Sequence, residues 1–501
     1  MIKKRYFFII FLCYAIVLGT WVSNQSFWID ECNSAIKAIQ PTFSSFCSTL
    51  FSQGGSDSQM PLYMFILWIW EKIFGSGEFW LRSLNILFSS LALLIIVREN
   101  YLSTRFRIIY GLLITTSPML CIYMDEARPY VLQFLASIMI FIPMVCYKHN
   151  EFMETFNFRM FLLGIIVLCG SSLTGVLFAF WACLWLLLLL LKTKNIKQFI
   201  LSHKILIGFC VVTLCFLGIY YLLTLFSGSR ASSISKTTLS TLGFCVYEFL
   251  GFMGIGPSRI SLRESYELAL SQYKGEIAIF AIIVFVPYLL LFAVKRNTSF
   301  GKEFKKELMS SSVFIVGALS MVFVGVTMNM RVLARHLMPL LPAYLFFLSY
   351  CFDKTIHYFN SNAAMRKSTK GKSVVLCLFI LFSVTMLFSC LSFRFQEIHK
   401  KDDYKGVVTY LKNNAPQKYD VWWAADGAAS EVYDIASFFE KFVVITNSNL
   451  NECTQSKMPQ VVVLSKPDIY DNKGILQLFL KENNFKENHQ FTSFVIYENT
   501  N

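Results

Sequence analysis

The chain has 501 residues, of which 55% are hydrophobic, 16% aromatic and only 15% charged, where a soluble domain carries about 25% charged residues. That balance excludes an ordinary soluble globule, a disordered chain and a disulfide scaffold. The formal charge of +14 does not call for nucleic acid, because basic residues set between apolar runs of about 20 residues are what membrane insertion uses.

In chain order, apolar runs bounded by charge predict eleven spans, near 6–23, 80–97, 108–122, 130–147, 160–173, 175–191, 205–226, 276–294, 311–327, 337–352 and 373–391. The fifth and sixth are one apolar stretch, divided where Gly170-Ser171-Ser172 offers a turn. The first run follows Met1–Arg5 without an A-x-A cleavage site, so it is read as an uncleaved anchor. The apolar segment Pro61–Phe74 carries Glu71 and Lys72 and is predicted to lie at the membrane interface.

Lys and Arg set the orientation. With the N-terminus cytoplasmic, the loops on its side hold 22 in 72 residues, against 10 in 121 for the loops 24–79, 123–129, 227–275 and 328–336, and the positive-inside rule places the poorer set outside. An odd number of spans delivers the C-terminus outside as well. Residues 393–501 lose the long apolar runs, and helical periodicity at Asp403–Asn413 with strand-like runs at Asp420–Ala424, Phe442–Thr446, Gln460–Ser465 and Thr492–Tyr497 predicts a small α/β domain. It has no phosphate-binding glycine motif, so packing, acceptor recognition or partner docking is its expected role.

The expected fold class is therefore a polytopic α-helical membrane protein of about 11 transmembrane helices, residues 1–392, with a C-terminal extracytoplasmic α/β domain, residues 393–501. Of the fourteen cysteines, ten lie in or against apolar runs as packing residues; a Cys32 to Cys47 disulfide in the first external loop is left open.

Chemistry is concentrated at the external mouths. The first external loop opens with Trp28-Ile29-Asp30-Glu31, two adjacent carboxylates just beyond the first span. The second reads Tyr123-Met124-Asp125-Glu126-Ala127-Arg128-Pro129-Tyr130. Acids placed there can act as a general base or hold a cation, and Arg128 can meet an anion; the competing reading is a solvated loop with a structural Glu126 to Arg128 pair. Asp57, Gln59 and Tyr63 lie on the same side, as do Glu78 and Arg82 at the second span, and Arg331, Arg335 and His336 before Pro339 and Pro342. Arg82 either snorkels to headgroups or contacts substrate, and Arg335 either anchors at headgroups or holds a phosphate.

The order and sidedness of Trp28-Ile29-Asp30-Glu31, Pro61-Leu62-Tyr63, Gly77-Glu78 through Arg82 and Asn85, Glu126-Ala127-Arg128-Pro129-Tyr130 and Arg335 through Pro342 resemble the GT-C superfamily of polytopic glycosyltransferases. The branch in question holds protein O-mannosyltransferases, aminoarabinose transferases and galacturonosyltransferase-like enzymes. The resemblance implies a polyprenyl-phosphate-linked sugar as donor, a glycan, lipid or protein as acceptor, membrane lipids as surroundings and no nucleic acid. It implies Asp30 as catalytic carboxylate, with Glu31 and Glu126 beside it and Glu126 helping to bind acceptor or metal. From their placement on the external side, Asp57, Gln59, Tyr63, Arg82, Asp125, Arg128, Tyr130, Arg335 and His336 are the candidate substrate-binding set. Many relatives carry His-Pro-Pro-Leu-Tyr where this chain has Gln59-Met60-Pro61-Leu62-Tyr63, so a divalent metal ion, with Asp30 and Glu126 as ligands, is left open. A flippase or transporter for lipid-linked oligosaccharide is the alternative, and it calls for charges at the midplane of several spans. A non-catalytic scaffold leaves the clustered acids unexplained. Richness in Phe, Ile, Lys and Asn is associated with AT-rich bacterial genomes, which makes the expected location a bacterial plasma membrane.

Overall fold

The computed structural model describes residues 2–147, 157–193, 196–226, 236–294, 298–361, 369–455 and 458–499. The chain forms two compact units. The first comprises Met1–Val22, Ser48–Leu67 and Arg82–His399, and the second Ser23–Cys47, Trp68–Leu81 and Lys400–Asn501.

In the first unit every described regular element is helical. Among the described residues, Glu78–Arg98, Gly175–Lys192, Lys204–Phe226, Met309–Thr327 and Ser373–Phe395 are long and apolar enough to cross a membrane, and two bent pairs raise the number to seven. Other predicted runs form shorter apolar helices, Phe8–Thr20, Tyr130–Cys146 and Phe158–Ser171. The chain is a multi-pass membrane protein. The turn predicted between the fifth and sixth runs is present, with Ser172 extended between helices Phe158–Ser171 and Gly175–Thr193.

Tyr130–Cys146 is buried on every face, as a helix apolar all round must be at the centre of a bundle. It packs against Phe158–Ser171, where Gly164 permits the approach: a Cβ there would meet the Ala136 carbonyl at 3.0 Å and the Ile140 side chain at 2.8 Å. Lys204–Phe226 is the opposite case, exposing Ile205, Phe209, Phe216 and Phe226 as a surface for lipid. One bent pair shapes the site. Helix Thr104–Thr115 breaks at Ser117-Pro118, and the 55° bend starts the short helix Pro118–Met124 that leads into the second loop. Ser117 Oγ accepts from the Leu120 amide at 3.4 Å, and Pro118 lacks only an amide hydrogen that the first turn leaves unbonded anyway.

The second unit is built on a five-stranded sheet of order β2-β1-β3-β5-β4, where β1 is Asp420–Ala424, β2 Lys441–Val444, β3 Val461–Ser465, β4 Phe485–Phe491 and β5 Phe494–Asn499. The first three are parallel and the last two antiparallel to their neighbours. Central β1 and β3 are buried along their whole length, as strands covered on both faces are. Trp422, Val462 and Leu464 pack with Leu476 and Leu480 of helix Ile475–Glu482, while Trp423 and Phe494 pack with Tyr404. Strand β4 was not foreseen, because its sequence Lys-Glu-Asn-His-Gln is that of an exposed edge with no apolar alternation.

The first-loop residues of this unit form helix Ile29–Ala38, which packs on helix Gly427–Val432. Trp68 lies against Phe46 and donates from Nε1 to the Gln40 carbonyl at 2.9 Å. Cys32 and Cys47 are free thiols, which answers the open disulfide question in the negative.

Candidate active site

In the first unit the second loop is held from below by one amide. Asn85 Nδ2 donates to the Glu126 carbonyl at 2.7 Å, with the Met124 and Tyr123 carbonyls at 3.1 and 3.3 Å. The loop is thereby fixed as a buried turn, and Asp125, Glu126 and Arg128 are all withdrawn from solvent. Buried charges must be matched, and here arginine does the matching. Arg128 donates to Asp57 Oδ1 at 2.7 Å and Ser56 Oγ at 3.0 Å. Arg82, fully buried, lies 3.9 Å from Asp125. The structure thus gives Arg82 a carboxylate neighbour and Arg128 an acid from the first external loop.

Glu126 faces a residue that the sequence did not single out. Arg259 stands 3.9 Å from Glu126 Oε1 and donates to Glu248 at 2.8 Å, and Glu248 also accepts from the Tyr123 hydroxyl. Glu248 is a lone acid inside the otherwise apolar helix Leu239–Phe249, a signal that could have been read as a buried functional or paired group. Tyr130 meets Tyr123 edge to face, and the Arg335 guanidinium lies 5.9 Å over the Tyr130 ring. His336 is used locally, its Nδ1 accepting from the Leu333 amide at 3.1 Å, which leaves the proton on Nε2. Tyr63 is fully buried and Gln59 half-buried, the Gln59 carbonyl accepting from the Leu173 amide at 2.9 Å. His399, just past the last span, stacks on Phe393, and burial with the nearby Arg259 charge pushes its imidazole down to about 4.

In the second unit Asp30 and Glu31 occupy the first turn of helix Ile29–Ala38, where the helix dipole favours negative charge. Glu31 is fully buried, receives the Trp28 amide at 3.4 Å and pairs with Lys401 at 2.9 Å. Asp30 is half-buried. One turn on, Asn33 Nδ2 donates to Asp426 Oδ2 at 3.1 Å, and Asp426 Oδ1 caps helix Gly427–Val432 by accepting from the Ala428 amide at 3.0 Å. Burial pushes the Asp426 carboxyl up to about 6, the two amide bonds pull it back, and the Asp30 charge raises it further. Glu78 receives the Tyr433 hydroxyl at 3.2 Å and Lys405 at 3.1 Å, and Tyr433 also accepts the Phe27 amide at 2.8 Å. Burial pushes the hydroxyls of Tyr404, Tyr433 and Tyr470 up, so all three stay protonated. Lys401, Lys405, Tyr433 and Asp426 carried no sequence signal as site residues, since nothing local links residues 400–433 to residue 30.

Among the described residues no group of three or more His, Cys, Asp or Glu side chains converges as a metal ligand set. The residues present therefore do not fit a site of that kind, and no chemical step below passes through a metal.

No family model matches the chain and no curated protein resembles it in sequence. Solved structures do resemble it. The ArnT of Cupriavidus metallidurans in its apo state matches with a TM-score of 0.58 at 10% identity, over 100% of this chain and 99% of that one. The same ArnT bound to undecaprenyl phosphate matches at 0.57 and 11% identity, over 98% of each chain. The arabinofuranosyltransferase AftD from Mycobacteria overlaps at 0.40 and 10% identity, covering 99% of this chain and 40% of its own. The chain shares the fold of that ArnT over its whole length.

Proposed function

We propose that this chain is a membrane glycosyltransferase that moves a sugar from a polyprenyl-phosphate donor to a glycan, lipid or protein acceptor on the extracytoplasmic face. The observation that carries the reading is the full-length match to ArnT, a fold solved with undecaprenyl phosphate bound.

The chemistry asks for a base, a cation and an apolar surface. Asp30, in the first turn of a helix and half-buried, takes the proton of the acceptor hydroxyl. The freed oxygen attacks the anomeric carbon from the face opposite the phosphate, the bond from that carbon to the phosphate oxygen breaks, and polyprenyl phosphate leaves with the configuration inverted. The charge gathering on the departing phosphate calls for a cation. Arg128, already held by Asp57 and Ser56, serves the shape of the loop instead. The apolar helices supply the surroundings of the prenyl tail.

Mass spectrometry of lipids and glycans from cells with and without the chain tests this reading. A sugar missing from one acceptor, with its lipid-linked form accumulating, is the expected outcome and identifies both substrates. Unchanged profiles, with the protein present at normal abundance in the control, remove the proposal.

A further inference from the structure

Asp426 and Asn33 join two parts of the chain that are almost 400 residues apart. Asn33 lies one turn beyond Asp30 on the same helix, and its amide is held at 3.1 Å by a carboxylate that also caps the helix packed against it. Both oxygens of Asp426 are thus met by neutral amide donors. Its charged neighbours are Asp30 on the first-loop helix and Lys466 after β3, and Lys466 is itself ion-paired with Asp402. Tyr404 and Tyr470 complete the surroundings. Nothing in the packing of the sheet requires a carboxylate here, since an asparagine would cap the helix as well.

We propose that Asp426 is a positioning residue for Asp30: it fixes the helix that carries Asp30 through Asn33 and places a second negative charge beside the acceptor's base. This rests on the assignment of Asp30 as base. A like charge beside a carboxylate favours its proton-bound form, so the anion of Asp426 assists the moment at which Asp30 takes the acceptor proton. The C-terminal residues are on this account part of the catalytic apparatus rather than an appended packing module.

The substitution Asp426→Asn keeps the cap and removes the charge, but it turns an NH2 toward Asn33, so that this bond survives only reversed, with the Asn33 amide flipped away from the Ile29 carbonyl. At equal membrane abundance we expect product formation, read as the glycan that disappears when the chain is absent, to fall about threefold to tenfold, a part of the about 10²- to 10⁴-fold that a general base supplies. Binding of undecaprenyl phosphate to the purified full-length chain should not change. The double substitution Asn33→Asp with Asp426→Asn exchanges donor and acceptor and restores a carboxylate one turn from Asp30; it should recover most of the lost rate. Wild-type product formation by Asp426→Asn overturns the proposal, and so does a double variant no better than the single, including where the single variant is poorly folded. Asp30→Asn, run in parallel, separates the two readings. If it retains wild-type activity the assignment of Asp30 fails, whereas an inactive Asp30→Asn beside a fully active Asp426→Asn removes only the positioning role.

Discussion

The charges beside the second loop in the first unit are matched through arginine, with Arg82 at 0% and Arg128 at 4% side-chain exposure sealed off and Arg259 at 37% reaching the edge. Those around the first-loop helix in the second unit are matched through lysine at its edge, with Lys401 at 15% and Lys405 at 46%. A planar guanidinium can satisfy several acceptors with little water, whereas an ammonium on a flexible stem is strongly hydrated and stays near solvent. The difference separates two uses of charge. In the first unit pairing makes a polar loop tolerable inside an apolar bundle, and in the second it holds the helix whose acid is proposed as the base.

From that contrast, breaking the Arg128 pair has the largest effect on folding. Asp57→Ala takes away the carboxylate that the buried Arg128 guanidinium donates to and should cost about 3–5 kcal/mol, seen as loss of membrane abundance and of the melting transition in detergent. Near-normal melting would mean that water reaches this loop and that the two regions do not differ.

On the proposed assignment, Asp30→Asn should leave folding intact and cost about 10²- to 10⁴-fold in transfer. Glu31→Gln should cost less in rate and more in stability, because Glu31 is fully buried against Lys401. Rates and melting curves of both variants, measured together, sharpen the division between a working acid and a paired one.

Two titrations probe the regions separately. His399 belongs to the first unit and has its folded value pushed down to about 4 from an ordinary 6.5. Its contribution is complete above about pH 6.5 and is lost as the pH falls toward 4, up to about 3 kcal/mol before partial exposure is allowed for. His399→Gln should flatten that acid limb. Asp426, in the second unit, is raised to about 6 from 3.8, so the sign is reversed: its contribution is complete below about pH 4 and lost as the pH rises through 6. Asp426→Asn should therefore match wild type at pH 4 and be the more stable at pH 8, by on the order of 1 kcal/mol. Hydrogen exchange of the β1 amides in the full-length protein reads it. A variant less stable at pH 8 would contradict the buried-carboxyl account.

The smallest effect belongs to the more exposed of the two lysine pairs around the first-loop helix. Lys405→Ala should change stability by no more than about 1 kcal/mol, because Glu78 keeps the Tyr433 hydroxyl.

Helix Pro61–Phe74 and strand Asp420–Ala424 were legible to the residue, and the turn after Gly170 nearly so, because apolar period and breakers act locally. Strand β4 was not legible, since an edge exposed to water carries no apolar pattern. The second-loop acids were visible as a cluster at one membrane depth, but their partners were not: Asp57 for Arg128, and Glu248 with Arg259 for Glu126, come from segments far along the chain.

By itself the sequence determined the membrane character, the helical class, the sheet-bearing tail and the acids worth attention, all of which follow from local hydropathy, charge and turn chemistry. Only the tertiary structure decided which cation each acid meets, and that residues 400–501 fold with the first-loop helix as one unit around Asn33 and Asp426. The reason is physical. Hydropathy is a property of each segment and is written in order along the chain, whereas pairing depends on which side chains packing brings together, and residues 33 and 426 share no local pattern that could announce it.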